Sequence, residues 1–252
     1  MPALSVTVIT RNEAANIAAA LESVAWADDI VVVDAESSDD TVALARHCAS
    51  TVHVRKWDGF VSQKNFAAAC ARHDWILSID ADERVSLALA DEIRGVLGGS
   101  PRFAGFYVPR ASFYLGRWIH STDWYPDPQL RLYDRRVARW TGGQVHESVR
   151  AEGPVGRLRN DLLHYPYRDI AHHWDTINRY TTLAANQMRE AGRRASVADV
   201  ALRPPLAFVR NYVLKHGFTD GGPGFVVSLL NSAYVLLKFA KLWELERRAR
   251  KR

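Results

Sequence analysis

An apolar run of strand length that ends in carboxylates constrains this chain more than any other feature. Residues 75–79 read Trp-Ile-Leu-Ser-Ile, and Asp80, Ala81, Asp82 and Glu83 follow. Residues i and i+2 of a strand point the same way, so Asp80 and Asp82 can both be aimed into the space beyond the strand end. Ligands bind in that space in open α/β sheets. Two hard oxygen donors there suit Mg²⁺ or Mn²⁺ holding a pyrophosphate, although D-x-D triplets also occur in surface loops.

Strand and helix patterns alternate as far as residue 80. Residues 4–9, 30–33 and 51–54 have strand composition, and residues 17–24, 41–47 and 63–72 have helical spacing of apolar positions. The run Ile30-Val31-Val32-Val33 is typical of a strand buried on both faces. This alternation predicts an α/β fold with a mostly parallel, doubly wound sheet.

The pattern changes in the second half of the chain. A helix is predicted over residues 86–97, followed by short aromatic-rich strands at 106–108, 113–115 and 130–133. Asp169 is expected to cap a long helix. A glycine-rich turn is expected at 217–224, and the apolar stretch 225–237 is shorter than the ~20 residues that cross a bilayer. We therefore predict a catalytic domain over residues 1–165 and a helical extension over 166–252.

Composition narrows the class of protein. The chain is 48% hydrophobic and 24% charged with a net charge of +5, which is globular and mildly basic. Its two cysteines, Cys48 and Cys70, have no metal-binding spacing and predict neither a disulfide framework nor a zinc site. The N-terminal residues enter a strand pattern directly, so we expect no secretion signal.

Several motifs together resemble the family 2 glycosyltransferases of GT-A fold. In the first half they are Thr10-Arg11-Asn12-Glu13, Val33-Asp34-x-x-Ser37, Gln63-Lys64-Asn65 and Asp80-Ala81-Asp82-Glu83. Three later motifs resemble the bacterial lipopolysaccharide core glycosyltransferases of the β-1,4-glucosyltransferase type: Asp127-x-Gln129-Leu130-Arg131-Leu132-Tyr133, Gly142-Gly143-x-Val145-His146-Glu147 and Gly217-Phe218-x-Asp220-Gly221. The resemblance covers nearly the whole chain.

The resemblance implies a role for each matched position. Asp34 would bind the uracil of the donor, Asp80 would lie near the ribose and the metal, and Asp82 would hold the metal, Mn²⁺ or Mg²⁺. The remaining donor-binding positions would be Thr10, Asn12, Glu13, Lys64, Asn65 and Arg131. Glu147 lies where the family has its general base, although this chain has His-Glu where many members have Glu-Asp. The processive signature Q-x-x-R-W is absent, which favours the addition of a single sugar.

The residues themselves leave several alternatives open. Glu147 is equally compatible with a surface ion pair, and the alternation around Arg131 slightly favours the solvent face of a strand over a contact with the leaving pyrophosphate. His146 fits a metal ligand or a structural hydrogen bond. His164, His172 and His173 are interpreted as structural.

The expected reaction is an inverting transfer of a sugar, glucose first among the candidates, from a UDP-sugar to lipopolysaccharide core or another glycolipid. We expect a cytoplasmic protein at the inner face of the bacterial inner membrane, with an anionic membrane surface and a homo-oligomer among its partners and no nucleic acid. Residues from about Pro205 onward are expected to dock on this membrane surface through Phe208, Tyr212, Trp243 and the apolar stretch 225–237, although the apolar helix is equally compatible with packing on the catalytic domain or on a second subunit. The basic tail, residues 247–252, is expected to contact lipid. The alternatives are a sugar-nucleotide nucleotidyltransferase and a non-catalytic, basic membrane-surface module. A haloacid-dehalogenase phosphatase is disfavoured, because Arg84 stands where its threonine would be.

Overall fold

The computed structural model describes residues 2–99, 102–142 and 147–250. Only the backbone of residues 249 and 250 is described. The chain divides into two compact units. One comprises Met1–Ala111 with Asp127–His164, and the other comprises Ser112–Pro126 with Tyr165–Arg252. The second unit thus begins its main segment at the predicted boundary, but it also takes in a strand-containing segment that the sequence placed in the first domain.

The first unit is built on a seven-stranded mixed sheet. The strands of the chain are β1 (Leu4–Thr10), β2 (Asp29–Asp34), β3 (Thr51–Val54), β4 (Trp75–Asp80), β5 (Glu83–Val85), β6 (Gly105–Val108), β7 (Arg110–Tyr114), β8 (Arg117–Ile119), β9 (Gln129–Asp134), β10 (Ala138–Gly142), β11 (Glu147–Ala151), β12 (Val155–Arg157) and β13 (Leu162–His164). The sheet order is β12-β6-β9-β4-β1-β2-β3. Strand β9 runs antiparallel to β4 and β6, and the other pairings are parallel.

Helices cover both faces of this sheet. They are α1 (Ile17–Glu22), α2 (Thr41–Cys48), α3 (Phe60–Cys70) and α4 (Leu87–Gly98). Apolar residues of β2 alternate between two cores: Ile30 and Val32 pack with α1, α2 and α4, whereas Val31 and Val33 pack with α3 and the antiparallel pair β10–β11. The unbroken apolar run is therefore buried on both faces, as predicted.

The second unit is mainly helical. It contains α5 (Ile170–Glu190), α6 (Val197–Val209) and α7 (Gly221–Arg250), with a π-helical turn at Arg210–Leu214 and a 3₁₀ turn at Gly217–Asp220. Asp169 caps α5 as expected, since its Oδ1 accepts a hydrogen bond of 2.7 Å from the amide of His172. Helix α6 runs antiparallel to α7: Ser232 Oγ donates to the carbonyl of Pro204, and the amide of Ala195 donates to Glu246 near the far end.

The predicted turn at 217–224 is only partly a turn, because Gly221–Gly224 form the start of α7. A side chain at Gly224 would place its Cβ 1.9 Å from the carbonyl oxygen of Gly217, so the close approach of the two turns requires glycine. Pro223 lies in the first helical turn, where its missing N–H removes no helical hydrogen bond.

The apolar stretch 225–237 belongs to the longer helix α7, so the prediction that it is too short to cross a bilayer was wrong. Within the described residues one helix, Gly217–Arg248, is long and apolar enough to cross a membrane by length and composition. Core helices of soluble proteins pass the same criterion.

Candidate active site

Three strand ends bring the predicted site residues to one edge of the sheet. Strand β1 pairs in parallel with β2, which sets Thr10 beside Asp34, and with β4, which sets Ile9 beside Asp80. The carboxyl ends of β1, β2 and β4 therefore meet at the edge where the D-x-D motif leaves the sheet. This is the ligand-binding edge of an open α/β sheet.

The loops after β1 and β2 are tied to each other by hydrogen bonds. Asn12 has a φ of 54°, and its side-chain oxygen accepts a hydrogen bond of 2.8 Å from the backbone amide of Ser38. The backbone amide of Asn12 donates a hydrogen bond of 2.8 Å to Ser37 Oγ. Asp34 is buried and accepts from both the amide and the hydroxyl of Ser37, at 2.8 and 2.5 Å. A carboxylate has about four acceptor positions, so two remain for a further donor.

Glu13 lies at the entry to α1. Its amide donates 2.8 Å to Thr41 Oγ1, and its Oε2 accepts 2.8 Å from Asn16. The hydroxyl of Thr10 is buried with no hydrogen-bond partner among the described residues. A fixed loop and an unsatisfied hydroxyl thus stand at the end of β1.

Ion pairs link the first D-x-D carboxylate to one strand and one helix. Asp80 accepts 2.6 Å from Arg131 Nη2 on β9 and lies 3.0 Å from Lys64 Nζ on α3. Arg131 is 3% exposed, so its expected position on the solvent face of the strand was wrong. The antiparallel pairing of β9 with β4 turns this side chain toward the buried edge, and local alternation could not show that.

Glu83 lies beneath this pair and is fully buried. Its Oε1 accepts hydrogen bonds of 2.7 Å from Arg131 and 2.9 Å from Arg110. Its Oε2 accepts a hydrogen bond of 2.9 Å from the backbone amide of Asp80. Arg110 continues the network to Asp127 at 2.5 Å. The third carboxylate of the motif therefore fixes the strand end on which the first one stands.

The network sets the ionisation of its members. Burial alone would raise the pKa of Asp80, but Arg131 and Lys64 hold that pKa well below its usual range. Burial would likewise lower the pKa of Arg131, and Asp80 with Glu83 raises it instead. Asp80 is therefore a carboxylate and Arg131 a guanidinium near neutral pH.

Asp82 has a different partner from Asp80. Its Oδ2 lies 3.4 Å from Nε2 of His164, the last residue of β13, which pairs with β5. A carboxylate oxygen beside an imidazole nitrogen is a donor set that Mn²⁺ accepts, and a partly exposed carboxylate leaves room for phosphate and water oxygens. Among the described residues, no group of three or more His, Cys, Asp or Glu side chains is gathered for a metal. A divalent ion here would take its other ligands from the substrate and water.

The predicted base Glu147 begins β11 and is partly exposed, with Oε1 3.9 Å from Lys64 Nζ. Lys64 is buried and its Nζ lies 4.2 Å from the ring centre of Trp140. Asn65 binds both backbone groups of Trp140, at 3.0 and 3.1 Å, so it fastens α3 to β10. The contact of Asn65 with the sugar-nucleotide donor stays a prediction. Gly143, Val145 and His146 lie outside the described residues.

Comparisons with known proteins agree with this geometry. The sequence profile described as Glycosyl transferase family 2 matches residues 5–92. A lipopolysaccharide core biosynthesis glycosyltransferase, LpsC, from Rhizobium meliloti is 31% identical over 248 residues, which cover 96% of this chain and 92% of the relative. This chain belongs to glycosyl transferase family 2. An uncharacterized glycosyltransferase of Rickettsia typhi is also similar to this glycosyltransferase, at 30% identity over 262 residues covering 99% of this chain and 90% of the relative.

The fold of this glycosyltransferase is also found among solved structures. A mannosyltransferase from Pyrobaculum calidifontis, in complex with GDP-Man and Mn²⁺, superposes with a TM-score of 0.56 and 14% identity over 96% of this chain and 88% of the other. The predicted α/β, GT-A-like fold is confirmed, as are the family and the class of enzyme.

Sequence reasoning missed three residues at this edge: Glu83, Arg110 and His164. Glu83 stood in the quoted motif without a role. Arg110 and His164 meet their partners only through strand pairing, across 27 and 82 positions. Arg110 lies between the predicted strands 106–108 and 113–115, where a charged residue is ordinary.

Proposed function

We propose that this family 2 glycosyltransferase moves a single sugar, glucose first among the candidates, from a UDP-sugar to lipopolysaccharide core or a related glycolipid, with inversion. The observation that carries the proposal is the shared sheet edge: Asp34, Asp80, Asp82 and Glu147 with the cation Lys64 between two of them. The likeness to LpsC supports the acceptor class.

The donor would lie across the ends of β1, β2 and β4. Asp34 has acceptor capacity left for the uracil N–H, and Ser37 fixes its orientation. Asn12 and Glu13 hold the loop that closes this part of the edge, and Thr10 offers its unsatisfied hydroxyl. Asp80 would face the ribose.

Charge development on the leaving diphosphate requires cations. Lys64 and Arg131 are held in place, both buried and both paired with Asp80, so they need no reorganisation during the transfer. Asp82 with His164 would hold Mn²⁺ or Mg²⁺, which when bound stabilises negative charge on the diphosphate.

Glu147 would accept the proton of the attacking acceptor hydroxyl. Its carboxylate is partly exposed and so can be reached by an acceptor, and a carboxylate within hydrogen-bond reach of the attacking hydroxyl suffices as a base. The acceptor would be lipid-linked, which places the enzyme at the cytoplasmic face of the inner membrane. A homo-oligomer is compatible with this proposal, and no step needs nucleic acid.

A donor screen tests the proposal. Purified protein is incubated with Mn²⁺ and each of several nucleotide sugars, first without acceptor and then with lipopolysaccharide truncated in its core. We expect UDP release from one UDP-sugar, acceleration by the acceptor and loss of both with a chelator. Turnover of a nucleoside triphosphate with a sugar 1-phosphate, and none of a UDP-sugar, would instead establish a nucleotidyltransferase.

A further inference from the structure

The outward side of helix α6 is apolar where a surface helix is usually polar. Leu202, Pro205, Leu206, Val209, Val213 and Leu214 recur at helical spacing through α6 and the π-helical turn, and all six are exposed. Leu206 and Leu214 are 67% and 68% exposed. We call these six residues the α6 outer face.

The inner side of the same helix already has its partner. Pro204 is buried and its carbonyl accepts from Ser232 of α7, and Asn211 is buried against the same helix through Asn231. A surface helix normally turns its apolar stripe toward the core, so a second, exposed apolar stripe indicates a binding surface.

Aromatic rings extend this surface to the start of α7. Phe218 and Phe225 are both exposed, and each makes an edge-to-face contact with Tyr212, at centroid distances of 6.3 and 5.6 Å. Phe208 stacks on Tyr212 at 5.4 Å. Tyrosine with neighbouring phenylalanines is typical of the boundary between lipid headgroups and acyl chains.

Cations flank the apolar surface. Arg203, Arg210 and Lys215 each expose about half of the side chain. Two carboxylates oppose these three cations: Asp199 pairs with Arg203, and Asp123 pairs with Arg210 and Lys215. The excess positive charge fits an array of phosphates.

The charge decides between a bilayer and a second copy of the chain. In a two-fold contact through the α6 outer face, the cations at the rim of one copy would oppose those of the other. Anionic headgroups would instead attract the exposed cations of the rim. An apolar stripe with a basic flank is the pattern of a helix that lies in the membrane surface.

Helix α7 meets the length criterion for spanning, but one side of it makes polar contacts with α5. Lys241 Nζ donates to Asn178, Thr181 and Thr182 of α5, at 2.6 to 2.9 Å. Phe239 and Leu242 are buried in the second unit. A helix that carries these contacts would have to take α5 into the bilayer with it.

We propose that the α6 outer face is the membrane-docking surface of this enzyme, lying in the headgroup boundary of a bilayer rich in anionic phospholipid. The inference deepens the proposed function, which needs a lipid-linked acceptor, and it assigns the membrane contact expected from about Pro205 onward to the α6 outer face instead of the basic tail. Lys251 and Arg252 of that tail lie outside the described residues, and Arg248 is paired with Glu244.

Flotation of the full chain tests the proposal. Vesicles of phosphatidylcholine, with and without phosphatidylglycerol, are mixed with the wild type, with Leu202→Gln/Leu206→Gln, and with the matched control Ile170→Gln/Leu183→Gln on α5, whose residues are also exposed. We expect wild type and control to float with anionic vesicles and to be released by high salt. The α6 variant should bind the vesicles at least about tenfold more weakly than the wild type, since two leucines no longer enter the apolar layer.

Hydrogen exchange on the unmutated protein provides a second measurement that does not depend on the folding of a variant. Residues 202–214 should gain protection with anionic vesicles. Equal flotation of the α6 variant and the wild type, without that protection, would overturn the proposal. A wild-type dimer that becomes monomeric in the α6 variant would assign the face to a second copy, and flotation that resists high salt and alkaline carbonate would assign α7 to spanning.

The outcome is separable from that of the proposed function. UDP-sugar hydrolysis without acceptor should be the same in the α6 variant and the wild type. Flotation as expected from a protein that turns over no UDP-sugar would retain the docking surface and reject the donor.

Discussion

Individual side chains at the sheet edge divide into those that would meet substrate and those that hold them. Asp82 and Glu147 are partly exposed, whereas Glu83 is buried and bound to two arginines and a backbone amide. The first two should therefore affect turnover, and Glu83 should affect folding as well.

We predict that Asp82→Ala abolishes transfer while the protein stays folded, because the carboxylate supports the leaving group and is partly exposed. UDP-glucose turnover with a core lipopolysaccharide acceptor, beside a thermal melt, measures both. Asp91→Ala, at an exposed carboxylate on α4, is the matched control and should retain activity. Metal-independent activity of Asp82→Ala at the wild-type level would remove this role.

Glu147→Gln should leave donor binding nearly intact and lower turnover by about 10²–10⁴-fold, the usual cost of losing a general base. The amide keeps the size of the side chain but cannot accept the proton. UDP-sugar affinity by calorimetry and single-turnover rates separate the two effects. A near wild-type rate would assign the base elsewhere, with Asp127 next.

For Glu83→Gln we expect a loss of about 3 kcal/mol in the free energy of unfolding, because Arg110 and Arg131 would share a buried site without the carboxylate that they face. Denaturant unfolding measures the loss. Glu22→Gln, at an exposed end of α1, should change stability little. Equal stability of the two variants would show that the network does not depend on Glu83.

At the scale of elements, the helices of the second unit enclose an aromatic cluster with a buried histidine at its centre. His173 stacks on Tyr167 at 3.9 Å and its Nδ1 lies 3.0 Å from Tyr114 Oη. Burial, with a smaller contribution from the charge of His172, lowers the pKa of His173 from 6.5 to about 4. Folding therefore favours the neutral imidazole.

This shift predicts a pH dependence of stability. The contribution of His173 is fully present above pH 6.5, decreases as the pH falls from 6.5 toward about 4 because the unfolded chain takes up the proton first, and totals about 3 kcal/mol. The difference in unfolding free energy between wild type and His173→Phe, measured across this range, isolates it from the carboxylates. A difference that does not vary with pH would contradict the assignment.

Elements defined by local patterns could be predicted from the sequence, and long-range contacts could not. The strand 51–54 and the cap at Asp169 were predicted correctly because alternation and capping act within a few residues. Arg131 was misplaced because its burial depends on how β9 pairs with β4. The glycine-rich start of α7 was missed because composition favours a turn, whereas Gly221–Gly224 form the first turn of a long helix.

At the scale of the whole molecule, the chain passes between the two units three times, at residues 111, 126 and 164. Tyr114 and Ile119, both almost fully buried, pack with Ile177, Val227 and Leu230 from the far end of the sequence. The segment that carries them is surrounded in sequence by the first unit.

A chain that ends at His164 should accordingly fold poorly, because Tyr114 and Ile119 lose the helices that cover them. We expect aggregation or binding of a hydrophobic dye, measured by light scattering and dye fluorescence. Replacement of both residues by Ser in the shortened chain is the matched control and should reduce the effect. A soluble, cooperatively melting fragment without these substitutions would contradict the expectation.

The three crossings also set an order of events during synthesis. Strands β1 to β4 leave the ribosome as one run and can begin to associate, whereas Ser112–Pro126 is made before any of the helices that bury it. Until Val227 and Leu230 have been translated, Tyr114 and Ile119 lack two of the apolar residues that pack with them. Completion of this core therefore waits for α7, and this interval is when the nascent protein would most need a chaperone.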